Sequence, residues 1–443
     1  MRKADVYLME ILRTIPRDPA MLENTALPYA ASPAALTTPL TIGKHTAPNR
    51  IVYQAMEGCD GTAAGSPGEL TCRRYDRFAA GGPGLIWVEA TAVLPEARAN
   101  PRQLYITPDT LDDFARLADA IREKSMKEHG YAPLLMLQLT HSGRYSKPEG
   151  KPAPLIAYNN PLFEKDNPIA PECIVSDEYL DALTEKLIEG ARMAEKAGFD
   201  GADIKCCHRY LLCELLSAYE RPGRYGGSYE NRTRLVREAV AGAVKACSSD
   251  FIVTSRLNVY DGFPRPYGLG MAETGLDPDY TEPRRLAREL ADSGLSLLDV
   301  TMGNPYVNPH VNRPFVKGAY APEEAPLSGV ERMLTGTREI TEELNGRIPV
   351  ICSGLTFLGA LAPNVAAACV EQGWFDMAGW GRQTLAYPDM AKDVVKNGGL
   401  DPKKLCLACS KCTEVMRAGS TPGCVIRDAE VYLPLHKQFV QGQ

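Results

Sequence analysis

The chain has 443 residues and a formal net charge of −6, from 49 Lys and Arg against 55 Asp and Glu. This mildly acidic balance argues against binding to nucleic acid or to an anionic membrane surface, because both favour basic patches. No apolar run approaches the length of a membrane span. The hydrophobic fraction of 44% is ordinary for a globular protein and permits a large buried core.

The N-terminus and the cysteine content bear on the compartment. The first residues, MRKADVYLMEILRTIPRD, carry charges throughout and lack the apolar core and cleavage site of a signal peptide. Thirteen cysteines then point to a reducing compartment, where clustered cysteines more often bind metal or act in catalysis than form disulfides. We therefore expect a cytoplasmic protein.

Predicted strands alternate with predicted helices along the chain. Eight short apolar runs have the continuous burial typical of parallel strands that are covered on both faces. They span 50–56, 84–91, 132–140, 201–206, 251–257, 297–302, 348–353 and 375–380. The apolar spacing predicts helices at 111–129, 177–198, 231–246, 282–294, 329–345 and 362–373. Ser176 is expected to cap the second helix, because its hydroxyl can accept a free backbone N–H.

This alternation indicates an α/β fold with a parallel sheet. Eight units favour closure into a (β/α)8 TIM barrel, although counting strands does not by itself exclude an open doubly wound sheet. We assign residues 41–395 to the barrel, 1–40 to an N-terminal arm and 396–443 to a short tail with a cysteine cluster. The Pro- and Asn-rich stretch 144–175 is expected to be a long loop on the functional face of the barrel.

Polar residues occur where the predicted strands end, which is where such barrels place their catalytic groups. Gly354 and Gly381 follow the seventh and eighth strands and suit a phosphate, because glycine lets backbone N–H groups approach closely. Ordinary tight turns use glycine in the same way. Arg256 ends the apolar fifth strand, where a buried guanidinium needs an anionic partner. That partner is either a ligand or a neighbouring Asp.

One segment has a specific resemblance to a known family. Residues 197–240 contain GFDG, then H-x-YLL, then RYGGS-x-ENR-x-R, and they resemble the signature region of the Old Yellow Enzyme family. Supporting pieces occur in the right order: NRIVYQAM, AAGGPGLIWVEAT, QLTHSGR, SRL and GRQTLAYPDM. The resemblance covers roughly residues 36 to 430 and is closest to the iron–sulfur branch, which includes 2,4-dienoyl-CoA reductase and trimethylamine dehydrogenase.

The resemblance implies a barrel that binds FMN. Gln138 would contact the pyrimidine edge of the isoalloxazine, and Arg256 would lie near N1 and O2 and stabilise the negative charge of the reduced flavin. Ala55 and Met56 would line the flavin from the first strand. The phosphate would be held by Gly354, Gly381 and Arg382.

The resemblance also implies a substrate carbonyl bound over the flavin by two side chains three residues apart. These are Lys205 and His208, whose donors would stabilise a developing enolate oxygen. Tyr210 would protonate the α-carbon while hydride passes from reduced FMN to the β-carbon of an unsaturated carbonyl compound, an enone or enoate. Lys205 departs from the family's commonest pair. It could favour a carboxylate, or point away and pair with Asp203 or Glu214.

Three further residues near these motifs receive no catalytic role. Glu57 follows the first-strand methionine, where many relatives have Cys or Thr. A carboxylate there could alter the flavin potential or act as a base, but we expect it to face solvent. Cys206 and Cys207 adjoin the proposed site and are taken as structural.

The tail contains four closely spaced cysteines. Cys406, Cys409, Cys412 and Cys424 form C-x2-C-x2-C-x11-C. Soft thiolates crowded on a short loop suit an iron–sulfur cluster or zinc. Iron–sulfur relatives carry a similar motif, with three residues between the second and third cysteines instead of two. The resemblance favours a [4Fe–4S] cluster, then zinc, then reduced free thiols.

The electron donor is left open by the sequence. The stretch GLGMAETG at 268–275 lacks the spacing of a dinucleotide-binding G-x-G-x-x-G. The iron–sulfur relatives continue into FAD and nucleotide-binding domains that this sequence lacks, so we expect either transient binding of NAD(P)H or a separate electron-donor protein, and a cluster favours the protein.

A flavin-dependent ene-reductase acting on a small unsaturated molecule is the leading hypothesis for the function. An amine dehydrogenase or demethylase of the trimethylamine dehydrogenase type and a non-catalytic electron-transfer flavoprotein are the alternatives, and homo-oligomer formation is left open.

Overall fold

Eight parallel strands close into a barrel in the computed structural model, which describes residues 14–318 and 320–442. A short antiparallel pair precedes it, β1 (Leu40–Ile42) and β2 (His45–Ala47). The barrel strands are β3 (Ile51–Tyr53), β4 (Leu85–Ala92), β5 (Leu134–Thr140), β6 (Gly201–Ile204), β7 (Ile252–Asn258), β8 (Leu297–Thr301), β9 (Val350–Cys352) and β10 (Met377–Trp380). They pair in chain order, and β10 pairs with β3. The predicted strands and TIM barrel are confirmed.

Helices lie between the strands along the chain. The longer ones are α1 (Glu69–Ala80), α2 (Leu111–His129), α4 (Asp177–Lys196), α7 (Arg234–Ala246), α8 (Thr281–Asp292), α10 (Pro326–Leu344), α11 (Ala362–Glu371), α13 (Met390–Asn397) and α15 (Ala429–Val440). The shorter ones are α3 (Pro161–Glu164), α5 (Leu211–Leu215), α6 (Tyr229–Arg232), α9 (Pro309–Asn312), α12 (Arg382–Ala386) and α14 (Lys411–Arg417). Short 3-10 segments are Pro19–Leu22, Ala34–Thr37, Pro95–Ala97, Gly143–Tyr145, Pro171–Cys173 and Leu355–Leu361. None of the helices in the described ranges is long and apolar enough to cross a membrane.

The predicted helices are present, and the third is divided at Thr233 into α6 and α7. The hydroxyl of Ser176 accepts the backbone N–H of Tyr179 at 3.2 Å, so the predicted cap is confirmed. The predicted long loop at 144–175 contains short helical turns, including α3. The predicted N-terminal arm lies partly outside the described residues, which begin at Thr14.

The sequence pattern does not predict α1, because a charged residue lies on its buried face. Arg74 is 3% exposed, and its two terminal nitrogens each donate to Asp60 at 2.8 Å. The Nη2 atom also donates to Glu89 at 2.7 Å. Arg74 therefore interrupts the apolar stripe formed by Tyr75 and Phe78, while buried carboxylates supply the partners that its charge requires.

The interior of the barrel changes from apolar to polar along the strands. Side chains two residues apart point to the same face of a strand, so each strand contributes inward residues at that spacing. At the N-terminal end, Ile42 of the β1–β2 hairpin packs with inward apolar side chains, among them Val52, Trp87, Met136 and Leu297. Two residues further along the same strands stand Gln54, Glu89, Gln138 and Asp299. The polar layer therefore lies at the end where the strands finish.

The C-terminal tail is anchored to this same end of the barrel. Asp428 accepts hydrogen bonds from both terminal nitrogens of Arg73 on α1, at 2.8 and 2.9 Å, and pairs with Arg77. The hydroxyl of Thr421 donates to the backbone carbonyl of Cys59 at 3.3 Å, in the loop after β3. The tail is therefore positioned to cover the polar end of the barrel.

Candidate active site

A large cavity opens at the C-terminal ends of the strands and contains about 1120 Å³ of empty space, its open mouth included. The residues predicted to hold the flavin or the substrate all line it, although they come from distant parts of the chain. They are Ala55, Met56, Gln138, Lys205, His208, Tyr210, Arg256, Gly354, Gly381 and Arg382.

The floor of this cavity is a network of buried polar groups around Asp203. Gln138 and Trp87 donate to its Oδ2 at 2.6 and 3.0 Å. The backbone N–H of Arg256 donates to its Oδ1 at 2.7 Å. Burial raises the pKa of Asp203 to about 6, and these hydrogen bonds oppose the shift. Asp203 therefore orients the Gln138 amide and holds the end of β7.

Of the two partners expected for Arg256, the structure shows a neighbouring Asp. Its Nε lies 3.1 Å from Oδ2 of Asp299, without the alignment of a hydrogen bond, and the side chain also lines the cavity. Burial raises the pKa of Asp299 to about 7, against the charge of Arg256. Gln54 donates to the other oxygen of Asp299 at 3.0 Å, and its own Oε1 is buried without a partner among the described residues. This polar floor fits the pyrimidine edge of a flavin.

A phosphate would fit where β9 and β10 end. Gly354 has a φ of +85°, and a Cβ on Gly381 would come within 2.8 Å of the Met56 sulfur, so side chains are disfavoured at both places. Arg382 is 8% exposed, and its Nη1 has no hydrogen-bond partner within the described residues. A buried cationic nitrogen without a partner requires an anion.

Arg313 is a cationic residue of the cavity that the sequence analysis did not identify. Burial and the neighbouring charge of Arg382 lower its pKa to about 9. Its side chain donates to the hydroxyl of Thr413 in the tail. Two arginines from different loops thus converge on the phosphate end. Arg313 lies in the long segment after β8, where no sequence pattern distinguished it.

His208 and Arg209 form a strained turn after β6, with φ values of +64° and +58°. Non-glycine residues rarely adopt this conformation, and consecutive examples need support from their surroundings. Arg209 supplies it, because its fully buried guanidinium contacts Asp261 at 3.0 Å and the Tyr158 hydroxyl at 3.1 Å. Burial holds the pKa of His208 well below its usual value, so the imidazole is neutral. The turn presents a neutral imidazole to the cavity.

Lys205 stays in the cavity, so the expected alternative of pairing with Asp203 or Glu214 is wrong. Its Nζ lies 3.8 Å from the centre of the Tyr210 ring, a cation–π contact, and the residue is 4% exposed. Burial lowers the pKa of this amine. Glu214 is occupied by Arg144, whose Nε donates to it at 2.8 Å.

Glu57 also lines the cavity, and the expectation that it faces solvent is wrong. Its Oε2 accepts the hydroxyl of Tyr210 at 3.3 Å, and its Oε1 accepts the amide of Asn100 at 2.8 Å. The Tyr210 hydroxyl also lies 2.9 Å from that of Tyr306, whose ring stacks on Tyr145 at 3.8 Å. Burial raises the pKa of Tyr210 well above its usual value, so the phenol keeps its proton.

The cysteines of the tail line a second, smaller cavity of about 380 Å³. Burial raises the pKa of the Cys406 thiol to about 12 and that of Cys409 to about 11. No group of three or more His, Cys, Asp or Glu in the described ranges is arranged to hold a metal ion. The two cavities share Arg382, Leu385 and Cys412. Cys412 therefore lies between the larger cavity and the other three cysteines, which are Cys406, Cys409 and Cys424.

The closed barrel and the cavity at the C-terminal ends of its strands, lined there by glycines and buried arginines, are the architecture of a (β/α)8-barrel enzyme. The chain belongs to the NADH:flavin oxidoreductase / NADH oxidase family, whose model matches residues 35–400. It is therefore an FMN-dependent oxidoreductase.

Individual relatives agree with this assignment. The chain is 29% identical to an NADPH dehydrogenase from Bacillus subtilis (strain 168) over 369 residues, which cover 82% of this chain and 94% of that protein. Two solved structures have the same fold. A 2-naphthoyl-CoA reductase complex matches with a TM-score of 0.71 at 20% identity, over 89% of this chain and 57% of that one. Histamine dehydrogenase from Rhizobium sp. 4-9 matches with a TM-score of 0.68 at 21% identity, over 89% of this chain and 52% of that one. The chain thus spans just over half the length of these two.

Proposed function

We propose that this protein is an ene-reductase, which reduces a C=C bond conjugated to a carbonyl group. The observation that carries the proposal is that Tyr210 lines the same cavity as Lys205 and His208, with the Lys205 Nζ over its ring. A phenol that keeps its proton, next to donors for an oxygen, suits protonation of the carbon adjacent to a carbonyl. The family membership and the name of the Bacillus subtilis relative support NADPH as an electron donor.

The residues divide into a cofactor set and a substrate set. Bound FMN would supply the hydride for the β-carbon. Lys205 and His208 would bind the carbonyl oxygen, and Tyr210 would give its proton to the α-carbon. The flavin itself would be held by Ala55 and Met56 beside the ring, by Gln138 and Arg256 at the pyrimidine edge, and by Gly354, Gly381 and Arg382 at the phosphate.

The ammonium of Lys205 favours the reductase over an amine dehydrogenase. The rings of Tyr210 and Tyr306 would suit a cationic amine. However, the Lys205 Nζ already lies against the Tyr210 ring, 3.8 Å from its centre. Its charge repels a second cation and attracts a carboxylate or an enolate oxygen. We therefore propose an enone or an enoate as the substrate class.

We further propose that the four tail cysteines hold a [4Fe–4S] cluster. Four soft donors around one cavity fit its chemistry. Zinc is the alternative, because four thiolates at about 2.3 Å also suit that ion. Cys412 borders the flavin cavity, so a cluster there would suit a separate electron-donor protein.

The test uses the purified FMN-loaded protein in anaerobic conditions. Photoreduced protein is mixed with cyclohex-2-enone and with cinnamate, and oxidised protein is mixed with trimethylamine. Reoxidation by the enone or the enoate is expected, and Lys205→Met should weaken binding of cinnamate more than binding of the enone. If only trimethylamine reacts, by reducing the oxidised flavin, the protein is an amine dehydrogenase. If none of the three compounds reacts, both the ene-reductase and the amine dehydrogenase hypotheses are wrong.

A further inference from the structure

Glu57 is the acidic side chain that lines the flavin cavity in the described part of the chain. The other lining residues that carry charge are cationic: Lys205, Arg256, Arg313 and Arg382. Neither the flavin contacts nor the substrate contacts proposed for the cavity involve this carboxyl group. A carboxyl group at this place therefore requires its own explanation.

The two oxygens of Glu57 have separate partners. The Asn100 amide donates to Oε1 at 2.8 Å, which leaves Oε2 directed at the Tyr210 hydroxyl at 3.3 Å. Tyr306 lies on the other side of that hydroxyl, at 2.9 Å. The three oxygens, from the loops after β3, β6 and β8, form one continuous chain.

The loop that carries Glu57 is held rigidly. The next backbone N–H, that of Gly58, donates to the buried carboxylate of Glu89. Asp60, two residues further, is bound by both terminal nitrogens of Arg74 at 2.8 Å. A Cβ on Gly58 would lie 2.0 Å from Nη2 of Arg74, so the backbone passes directly over this clamp. Glu57 is therefore oriented by the same ion pairs that bury Arg74.

The surroundings of Glu57 favour its protonated form. Burial raises the pKa of its carboxyl group, and the charge of Lys205 opposes the shift. The other titratable groups facing it are Tyr210 and Tyr306 from the opposite loops, Cys59 from its own loop, and Glu89 beneath it. A carboxyl group whose pKa is raised, and which contacts a phenol, can give a proton to that phenol and recover one from solvent.

We propose that Glu57 is a positioning residue that returns a proton to Tyr210 after each transfer to the substrate. As the C–H bond forms at the α-carbon, the Tyr210 O–H bond breaks. The Glu57 O–H bond then breaks as the Tyr210 O–H bond forms again, and water restores the proton to Glu57. The two electrons of C=C reduction are those of the proposed function, on which this inference rests. Tyr306 completes the chain on the far side of the phenol.

Infrared spectroscopy can detect the proton on the Glu57 carboxyl group without catalytic turnover. Infrared difference spectra of the FMN-loaded protein are recorded over a pH titration, for the wild type, Glu57→Gln and Tyr210→Phe. We expect a carboxylic-acid C=O band that persists above the ordinary range of Glu, is absent in Glu57→Gln, and shifts in Tyr210→Phe because its hydrogen-bond partner is lost. A Glu57 carboxyl that is fully ionised at neutral pH, or that does not respond to Tyr210→Phe, overturns the proposal.

A second measurement follows the reaction with cyclohex-2-enone in single-turnover and steady-state experiments. Glu57→Gln should lower the steady-state rate about 10- to 100-fold and remove its dependence on pH, with little change in KM, and Glu57→Asp should restore part of the rate. Glu96→Gln is the matched control, because Glu96 accepts the hydroxyl of Tyr179 at 3.1 Å outside the cavity. An unchanged rate in Glu57→Gln contradicts the proposal. A wild type that reduces no enone contradicts the proposed function, and the infrared result then decides the role of Glu57.

Discussion

The hydroxyl of Tyr210 and the carboxyl group of Glu57 lie 3.3 Å apart across the mouth of the barrel, although β6 and β3, the strands that they follow, are separated by two others. The contact brings together a predicted proton donor and a residue that was expected to face solvent. It depends on barrel closure, because a flat sheet would hold these loops far apart. The predictions below test the cavity that this closure forms.

Replacement of the phenol tests the proton donor directly. Tyr210→Phe removes the transferable proton and keeps the ring under Lys205, so FMN content and the flavin spectrum should be unchanged. The rate of reoxidation by cyclohex-2-enone should fall about 10²- to 10⁴-fold. Stopped-flow absorbance measures this rate. Tyr179→Phe, which removes a hydroxyl outside the cavity, should have no such effect, and a variant at position 210 with full activity would remove Tyr210 from the mechanism.

The phosphate site can be separated from the rest of the flavin site. Arg382→Gln removes a buried cation, and charge-assisted hydrogen bonds contribute about 1.5–3 kcal/mol, so the Kd for FMN should rise about 10- to 100-fold. Riboflavin lacks the phosphate, and its Kd should be unchanged. Fluorescence titration measures both. Arg338→Gln, an exposed arginine paired with Glu342 on α10, is the control. Equal weakening of both ligands would show that Arg382 acts on the fold instead.

The metal content distinguishes the three hypotheses for the tail cysteines, which are a [4Fe–4S] cluster, zinc and free thiols. Anaerobically purified protein should contain roughly four iron and four acid-labile sulfide per chain, as a [4Fe–4S] cluster requires. Cys412→Ala should lose most of both, whereas Cys72→Ala, at an exposed thiol on α1, should retain them. Metal analysis and sulfide assay give the answer. About one zinc per chain and no sulfide would establish the zinc alternative.

Acid stability should depend on His141. This histidine is 1% exposed, its Nδ1 accepts the N–H of Gly143 at 3.0 Å, and its Nε2 lies 2.8 Å from the Tyr179 hydroxyl. Burial lowers its pKa to about 3. Below about pH 6.5 the unfolded chain therefore binds a proton that the native state does not, and stability falls as pH decreases toward about 3.

His141→Gln removes this titration, so its loss of stability over that range should be smaller than in the wild type. Urea denaturation at a series of pH values measures the difference. If the free energy of unfolding depended on pH in the same way in both proteins, the histidine would titrate normally in the folded state.

Much of the fold could be read from the sequence, because it is encoded locally. Continuous apolar runs produced the eight strands, and the spacing of apolar residues produced the helices. Helices α1, α13 and α15 were not predicted. In α1, Arg74 lies on the buried face, and its partners, Asp60 and Glu89, come from other elements. A periodic pattern of apolar residues reflects packing against apolar neighbours. It therefore does not reveal a charged residue that is buried in an ion pair.

The residues of the candidate site could be predicted from the sequence, but the directions of their side chains could not. The family motifs identified ten of the residues that line the cavity, because each motif keeps its residue at or near the end of a given strand. The direction of a polar side chain within the cavity was decided by the tertiary structure. Lys205 lies against Tyr210, and Glu57 turns inward. Arg313 joins Arg382 because their segments follow β8 and β10, which both pair with β9.

The sequence by itself determined the class of fold, the family and the strand ends at which the chemistry is located. Only the tertiary structure decided which of those ends face each other and that residues of the tail, such as Cys412 and Met416, line the flavin cavity. The physical reason is the range of the interactions. Strand and helix patterns follow from the burial of neighbouring residues, whereas the partner of a buried polar group is set by the geometry of a closed barrel.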